Sequence, residues 1–132
     1  MSTETTASVS THILDTSAGR PAEGVAISLS ARGGPAAEWR PLGGSATDAD
    51  GRCKDLPALP EGTTHVRLDF ETEAYFLSKQ NQQAEAQQDA PRVRDSGAFF
   101  PEVAITFAVV PGEHYHVPLL LNPFGYSVYR GS

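Results

Sequence analysis

Two histidines stand two residues apart in the segment EHYHVP, at His114 and His116. Side chains two apart on a β-strand project from the same face, so the two imidazoles would be close neighbours. An imidazole titrates at about pH 6.5 and is the usual side chain for proton transfer at neutral pH. The same spacing occurs in zinc sites, but these need a third or fourth ligand, and no other His or Cys pattern lies nearby. The pair therefore favours acid–base chemistry without a metal.

A third histidine, His12, lies in the segment STHILDT. The two-residue period of a strand places Ser8, Ser10, His12 and Leu14 on one face, and the opposite face is the more apolar one. His12 is therefore predicted to point away from the core, either as a functional residue or as a plain exposed histidine. His65 is interpreted as a solvent-facing strand residue without a role.

The segment TDADGRC predicts a turn at Asp50 and Gly51 that delivers Arg52 to the start of the next element. An arginine on a turn can hold an anionic or carbonyl-rich ligand through two hydrogen bonds, although a plain surface arginine is the alternative. Calcium is not expected, because the segment lacks the acidic residues that an EF-hand loop needs at its first and last positions. Cys53 is interpreted as a small buried residue.

Alternating apolar residues predict several short strands, and clusters of Gly, Pro and Asp between them predict turns. Beyond STHILDT, the predicted strands cover residues 25–30, 65–71, 103–109 and 114–121. Good helix formers predict a single short helix from Glu73 to Gln88. Several strands and one helix in a chain of 132 residues indicate a single all-β domain, residues 1–132, built as a β-sandwich, with residues 1–7 disordered.

Composition excludes several classes of function. Ten Lys and Arg against sixteen Asp and Glu give a net charge of -6, which argues against a nucleic-acid partner. No apolar run approaches the roughly 20 residues of a membrane span, and the opening MSTETTASVS lacks the features of a secretory signal. One cysteine fits a reducing compartment. We therefore expect a cytoplasmic protein that does not contact a membrane.

Taken together and in order, these segments resemble the 5-hydroxyisourate hydrolases, a family of transthyretin-related enzymes of urate degradation. The resemblance rests on HILDTSAGRPAEGV, GRC, AYF, FFPEV and the ending HYHVPLLLNPFGYSVYRGS, and it covers nearly the whole chain. The terminal YRGS is the most specific part, because the enzymes of this family carry it and the transthyretin hormone carriers do not.

The resemblance implies a transthyretin-like sandwich of two four-stranded sheets with one short α-helix. It also implies a homotetramer, a dimer of dimers, with active sites at the dimer–dimer interface. Residues 80–96, Gln-rich and then charged, look longer than the usual link between the helix and FFPEV. We interpret them as a surface-loop insertion that leaves the site intact.

The family's functional positions fall on eight residues of this sequence. The implied catalytic residues are His12, Arg52 and His116, and the implied substrate-binding residues are Tyr129, Arg130, Gly131, Ser132 and His114. Tyr129 would make the most direct contact with the substrate, and His114 would neighbour the site.

The implied reaction is the hydrolytic opening of the six-membered ring of 5-hydroxyisourate to 2-oxo-4-hydroxy-4-carboxy-5-ureidoimidazoline, without a metal or organic cofactor. A histidine, His116 with His12 assisting in our assignment, would deprotonate water. Arg52 and the terminal segment would orient the substrate and stabilise developing negative charge. A transthyretin-like carrier that binds a small molecule without transforming it is the main alternative, and a structural spacer domain is a remote one.

Overall fold

The computed structural model describes residues 6–86 and 98–131. Buried and more exposed side chains alternate along its main strands. All the predicted strands are present. The strands are β1 (Ser8–Asp15), β2 (Arg20–Pro21), β3 (Ala26–Arg32), β4 (Arg40–Ala46), β5 (Arg52–Cys53), β6 (His65–Phe70), β7 (Val103–Ala108), β8 (His114–Asn122) and β9 (Gly125–Val128), and the helix is α1 (Thr72–Ala86).

The strands form two sheets. The first has the order β2-β1-β8-β9, with β5 also paired to β1, and the second has the order β4-β3-β6-β7. Strands β1 and β8 run parallel, and every other pairing between named strands is antiparallel. The predicted all-β sandwich with one helix is confirmed. The first sheet has five strands instead of four because β2 and β5, of two residues each, both pair with β1.

The core lies between the two sheets. Each main strand contributes its inward residues, and the most deeply buried large side chains include Ile13, Leu29, Leu68, Phe70 and Leu119. Burying an apolar side chain of this size contributes about 1.5–3 kcal/mol. The inward faces therefore hold the sandwich together, which leaves the outward faces of β1 and β8 free to carry polar residues.

Helix α1 ends at Ala86, so the first part of the segment predicted as a loop, residues 80–86, is helical. The remainder of that predicted loop, and residues 87–88 of the predicted helix, lie outside the described residues. At the other end, Ala7 is buried and the Thr6 carbonyl accepts a hydrogen bond from the Gly112 amide. The predicted disorder over residues 1–7 therefore does not extend to Thr6 and Ala7, and residues 1–5 are outside the described range.

Strand β4 was not predicted from the sequence. It is an edge strand with mostly exposed side chains, and its pairing with β3 shifts register between Leu29 and Ser30. Gly44 in β4 lies so close to β3 that an added Cβ would approach the Ile27 carbonyl oxygen to 2.3 Å. In the described part of the chain, no helix is long and apolar enough to cross a membrane.

Candidate active site

The parallel pairing of β1 with β8 places the predicted site residues side by side. Its register sets Ser8 opposite His114, Ser10 opposite His116, and His12 opposite Pro118. Inward residues of both strands, such as Val9 and Val117, are buried, whereas the outward residues other than the buried Pro118 are exposed or half-buried. The outward face of the first sheet therefore gathers three of the four histidines of the chain.

Arg52 reaches this face through the predicted turn. One carboxylate oxygen of Asp48 accepts hydrogen bonds from the amides of Asp50 and Arg52 at 2.9 and 3.0 Å. Gly51 has a φ of 74°, and a Cβ there would lie 2.4 Å from the Ile13 carbonyl oxygen, so the turn requires glycine. Strand β5 begins at Arg52, which pairs with His12. The turn thus adds a guanidinium to the histidine face.

The imidazoles are linked to two serine hydroxyls. The Oγ of Ser8 lies 2.7 Å from Nδ1 of His114, and the Oγ of Ser10 lies 2.9 Å from Nε2 of His114. The same Ser10 oxygen lies 2.9 Å from Nδ1 of His116. The ring centroids of His12 and His116 are 6.5 Å apart with an interplanar angle of 30°. The result is a continuous hydrogen-bonded row from Ser8 to His116, with His12 beside its end.

The electrostatic surroundings lower the pKa of His116 below its ordinary value of 6.5. Burial is the largest cause, and the neighbouring His12, His114 and Arg52 each add to it because they disfavour a second positive charge. A pKa below 6.5 leaves His116 mostly neutral at pH 7 and able to accept a proton. A neutral imidazole near a guanidinium is an arrangement suited to general-base chemistry on a substrate that develops negative charge.

A cavity of about 310 Å³ opens at this cluster. Its lining consists of Ser10, Thr11, Arg52, Lys54, His114 and His116. Alternation along the chain explains Lys54, because Arg52 and Lys54 are exposed on either side of the buried Cys53. The cavity thus has two cationic side chains, although the whole chain is acidic. This charge favours a ligand that carries or develops negative charge.

The described part of the terminal segment continues antiparallel along β8 and contacts the site at Gly131. The Gly131 amide donates a hydrogen bond of 2.7 Å to the His116 carbonyl oxygen. A Cβ added to Gly131 would lie 2.9 Å from Cδ2 of His116 and 3.2 Å from Cγ of Pro118. Gly131 therefore lets the chain pass directly against the edge of the imidazole. Ser132 lies outside the described residues.

Tyr129 and Arg130 line a different cavity, of about 270 Å³, together with apolar residues of β7 and β8. The Arg130 guanidinium carbon lies 4.4 Å from the ring centroid of Tyr115, which is buried on the core side of β8. It also forms an ion pair with Glu113 at 3.4 Å. Within the single chain, these two predicted substrate-binding residues are thus separated from the histidine cavity, while Tyr129 remains 57% exposed.

Sequence reasoning missed Ser10 and Lys54 as parts of this site. Ser10 shares a face with His12, but its contact with His116 depends on the parallel register of β1 and β8, which alternation alone does not reveal. Among the described residues, no group of three or more His, Cys, Asp or Glu could hold a metal ion. Cys53 is buried as predicted, and burial is the largest cause of its raised pKa.

Known proteins resemble this chain over almost its full length. The model of the HIUase/Transthyretin family matches residues 9–131. The 5-hydroxyisourate hydrolase of Mus musculus is 36% identical over 127 residues, which cover 94% of each chain. The structure of Klebsiella pneumoniae 5-hydroxyisourate hydrolase aligns with a TM-score of 0.66 and 37% identity, over 96% of this chain and 99% of that one. Sea bream transthyretin in complex with thyroxine aligns with a TM-score of 0.69 and 26% identity, over 93% of each chain. The chain belongs to the HIUase/Transthyretin family.

Proposed function

We propose that this protein is a 5-hydroxyisourate hydrolase of urate degradation. The observation that carries the proposal is the clustering of His12, His116 and Arg52 on the outward face of the first sheet, where the pKa of His116 is lowered by burial and by its neighbours. The similarity to hydrolases of this name is higher in identity than the similarity to the thyroxine-bound transthyretin. Both lines of support favour catalysis over simple binding.

In the mechanism we propose, His116 acts as the general base. Its neutral imidazole takes a proton from a water molecule, and the resulting hydroxide attacks a carbonyl carbon of the six-membered ring. His12, half-buried and 6.5 Å away between ring centroids, assists by orienting water or by sharing the proton. The carbon–nitrogen bond of the ring then breaks, and the proton held by the imidazole passes to the leaving nitrogen. The product carries the new carboxylate.

Arg52 serves as the electrostatic partner of this base. The Asp48 turn fixes the backbone of Arg52, and its guanidinium can hold a planar, heteroatom-rich ring and stabilise the oxyanion at the attacked carbonyl. His114 and Gly131 border the reacting base, and the cavity needs no metal or organic cofactor for this chemistry. The reaction requires only water, a base and donors for the oxyanion.

Association of several copies of this chain would bring Tyr129, Arg130 and Ser132 into the proposed site. We propose a homotetramer, a dimer of dimers, in which subunits meet across the outward face of the first sheet. Support comes from the exposed and half-buried histidines of this face, which a second subunit could cover, and from the exposure of Tyr129. A cytoplasmic location also remains our prediction, supported by a single cysteine that cannot form a disulfide within the chain.

The test is a spectroscopic assay of 5-hydroxyisourate generated in situ from urate. The wild-type protein is expected to accelerate the decay of this intermediate over the spontaneous rate. Arg52→Ala is expected to lower kcat/KM, and Arg40→Ala, which removes an exposed arginine of β4 on the other sheet, is the matched control. Binding of the ligand without faster decay would favour the carrier alternative. Sedimentation at equilibrium tests the tetramer separately.

A further inference from the structure

Ser10 occupies the only described position where one side-chain atom touches two histidine rings. Its Oγ lies 2.9 Å from Nε2 of His114 and 2.9 Å from Nδ1 of His116. Ser8 continues the row, with its Oγ 2.7 Å from Nδ1 of His114. All three distances are those of true hydrogen bonds. Two hydroxyls and two imidazoles thus alternate along one strand pair.

We propose that Ser10 is a positioning residue that fixes the tautomer of His116, holding the proton on Nδ1 so that Nε2 presents its lone pair to the substrate. The inference rests on the proposed function in one respect, the assignment of His116 as the base. It adds Ser10, with His114 and Ser8 behind it, to the residues on which the reaction depends.

The number of protons available to His116 and Ser10 selects this tautomer. A neutral imidazole carries one N–H and one lone pair, and a serine hydroxyl carries one O–H. Nδ1 of His116 is engaged by Ser10, and Nε2 has no hydrogen-bond partner within residues 6–86 and 98–131, so Nε2 is the nitrogen left for substrate. For Nε2 to be basic, Nδ1 must carry the proton. Ser10 must then accept this hydrogen bond.

The remainder of the row supports this role for Ser10. When Ser10 accepts from His116, its own hydroxyl proton is free to be donated to Nε2 of His114. His114 then carries its proton on Nδ1 and donates it to the Ser8 oxygen. Each of the three contacts thereby contains one proton, and every donor points away from His116. A row of this kind polarises each successive bond and strengthens the last one.

The reverse arrangement of protons also satisfies all three hydrogen bonds, but it leaves no lone pair on Nε2 of His116 to accept a proton. In it, Ser8 donates to His114, His114 donates to Ser10, and Ser10 donates to His116, so the His116 proton sits on Nε2. The charged groups around His116 are His12 and Arg52 from the neighbouring strands, His114 from its own strand, and Lys54 at the cavity wall. Since these groups are cationic or can become so, a lone pair facing the cavity is better stabilised than an N–H.

The proton balance follows from this tautomer. Water gives one proton to Nε2, so His116 becomes an imidazolium whose Nδ1–H remains bonded to Ser10, and the hydroxide forms the new carbon–oxygen bond. When the ring carbon–nitrogen bond breaks, Nε2 returns its proton to the leaving nitrogen, and the starting tautomer is restored. No other reactant is consumed. Ser10 itself exchanges no bond with the substrate.

The direct test reads the tautomer by nitrogen NMR, independently of activity. In protein labelled with ¹⁵N at histidine, long-range proton–nitrogen correlations at about pH 8 identify the protonated nitrogen of His116. The wild type is expected to carry it on Nδ1, and Ser10→Ala is expected to move the population toward Nε2–H. A wild-type ring protonated on Nε2, or a tautomer unchanged in Ser10→Ala, would overturn the proposal.

The kinetic test uses three serine variants with the 5-hydroxyisourate assay. Ser10→Ala is expected to lower kcat by about 10–100-fold with KM nearly unchanged, the range found when the partner that fixes the tautomer of a metal-bound histidine is removed. Ser10→Thr keeps the hydroxyl and should restore most of the rate. Ser28→Ala removes an exposed strand serine from the second sheet and should match the wild type. A kcat for Ser10→Ala equal to that of Ser28→Ala would contradict the proposal.

The two tests separate this proposal from the proposed function. If the wild-type protein does not accelerate decay of 5-hydroxyisourate, the proposed function fails, whereas the tautomer measurement still decides the role of Ser10. If the wild type is active and its His116 is protonated on Nε2, the present inference and the assignment of His116 as the base fail, whereas the hydrolase activity stands. Circular dichroism of each variant excludes unfolding as the cause of a lost signal.

Discussion

Strand β1 carries two polar clusters that differ in how completely they are paired. The first is the histidine cluster, formed by His12, His114 and His116 on the outward face of the first sheet. The second is the Asp15 cluster, formed by Asp15, Ser17, Tyr75 and Lys79 where the same strand ends near helix α1. His12 and Asp15 are three residues apart, so the alternation of the strand turns them to opposite faces.

The Asp15 cluster is buried and saturated. Asp15 is 1% exposed, and its Oδ1 accepts hydrogen bonds from the Ser17 amide, the Ser17 hydroxyl and the Ala18 amide. Its Oδ2 accepts the Tyr75 hydroxyl at 2.7 Å, and the Lys79 ammonium lies at 3.8 Å. Burial alone would raise the pKa of Asp15, but the hydrogen bonds of Ser17, Tyr75 and Ala18 and the charge of Lys79 outweigh it and lower the pKa.

The histidine cluster is half-open and unsaturated. His116 is half-buried, its pKa is lowered mainly by burial, and the groups nearest to it are cationic or neutral instead of acidic. The two clusters differ in whether their polar groups are left available for a ligand. A buried charge whose partners are all present stabilises the connection between a strand and a helix, whereas a ring left with a free nitrogen beside a cavity is available for chemistry.

The largest expected effect comes from breaking the histidine cluster. His116→Ala removes the proposed base, and a positioned base contributes about 10²–10⁴-fold in rate, so kcat/KM for 5-hydroxyisourate should fall on that scale. The melting temperature should change little, because the His116 side chain faces outward. His65→Ala, on the second sheet, is the matched control and should keep full activity. Near-normal turnover in His116→Ala would remove it from the mechanism.

Breaking the Asp15 cluster should have the opposite outcome. Asp15→Ala leaves the Tyr75 hydroxyl and the Ser17 amide without their acceptor, so the free energy of unfolding should fall by about 2–4 kcal/mol. Tyr75→Phe removes one hydrogen bond to a charged group and should cost about 1.5–3 kcal/mol. Urea denaturation measures both. The activity of the fraction still folded should stay near that of the wild type, and a specific loss of activity would break the distinction between the clusters.

Lowering the pH should abolish the activity of the histidine cluster before it removes the stability that the Asp15 cluster contributes. The His116 pKa lies below 6.5, so kcat/KM should be nearly full at pH 7 and fall about tenfold per pH unit below that pKa. The Asp15 pKa lies below 3.8, so its contribution to stability is complete above pH 3.8 and is lost as the pH falls through the folded-state value. Parallel profiles of activity and of circular dichroism should therefore show a folded, inactive range. Coincident loss of both would contradict this.

Alternation of apolar residues was sufficient to predict most of the fold. It placed β3, β6, β7 and β8 because every second side chain of each faces the core, buried in β3, β6 and β8 and buried or half-buried in β7. It could not find β4, whose sequence RPLGGSA contains one proline and two glycines and has no buried face. An edge strand of this kind is held by hydrogen bonds to β3, and backbone pairing has no pattern in the sequence.

The site could be predicted by residue type but not by its connections. The two-residue spacing placed His114 and His116 on one face, and the Asp-Gly turn placed Arg52. The link through Ser10 could not be predicted, because it requires β1 and β8 to pair in parallel. Ser10 and His116 are 106 positions apart in the chain, and the sequence does not reveal the pairing of such distant strands. The sequence also did not predict that Arg130 lies apart from the histidines. The terminal segment runs along β8, so Gly131 lies against His116 while Arg130 lies over Tyr115.

The smallest expected effect comes from Gly131, which lies against the open edge of the histidine cluster. Its φ is not in the left-handed region, so Gly131→Ala introduces no backbone strain, but the new Cβ would lie 2.9 Å from Cδ2 of His116. The ring or the terminal segment must shift by a few tenths of an ångström, and a base displaced on this scale should lose about 3–10-fold in kcat. Gly125→Ala, with no atom within 4 Å of its added Cβ, is the matched control. Equal kcat for the two variants would mean that the close passage of the chain end does not position His116.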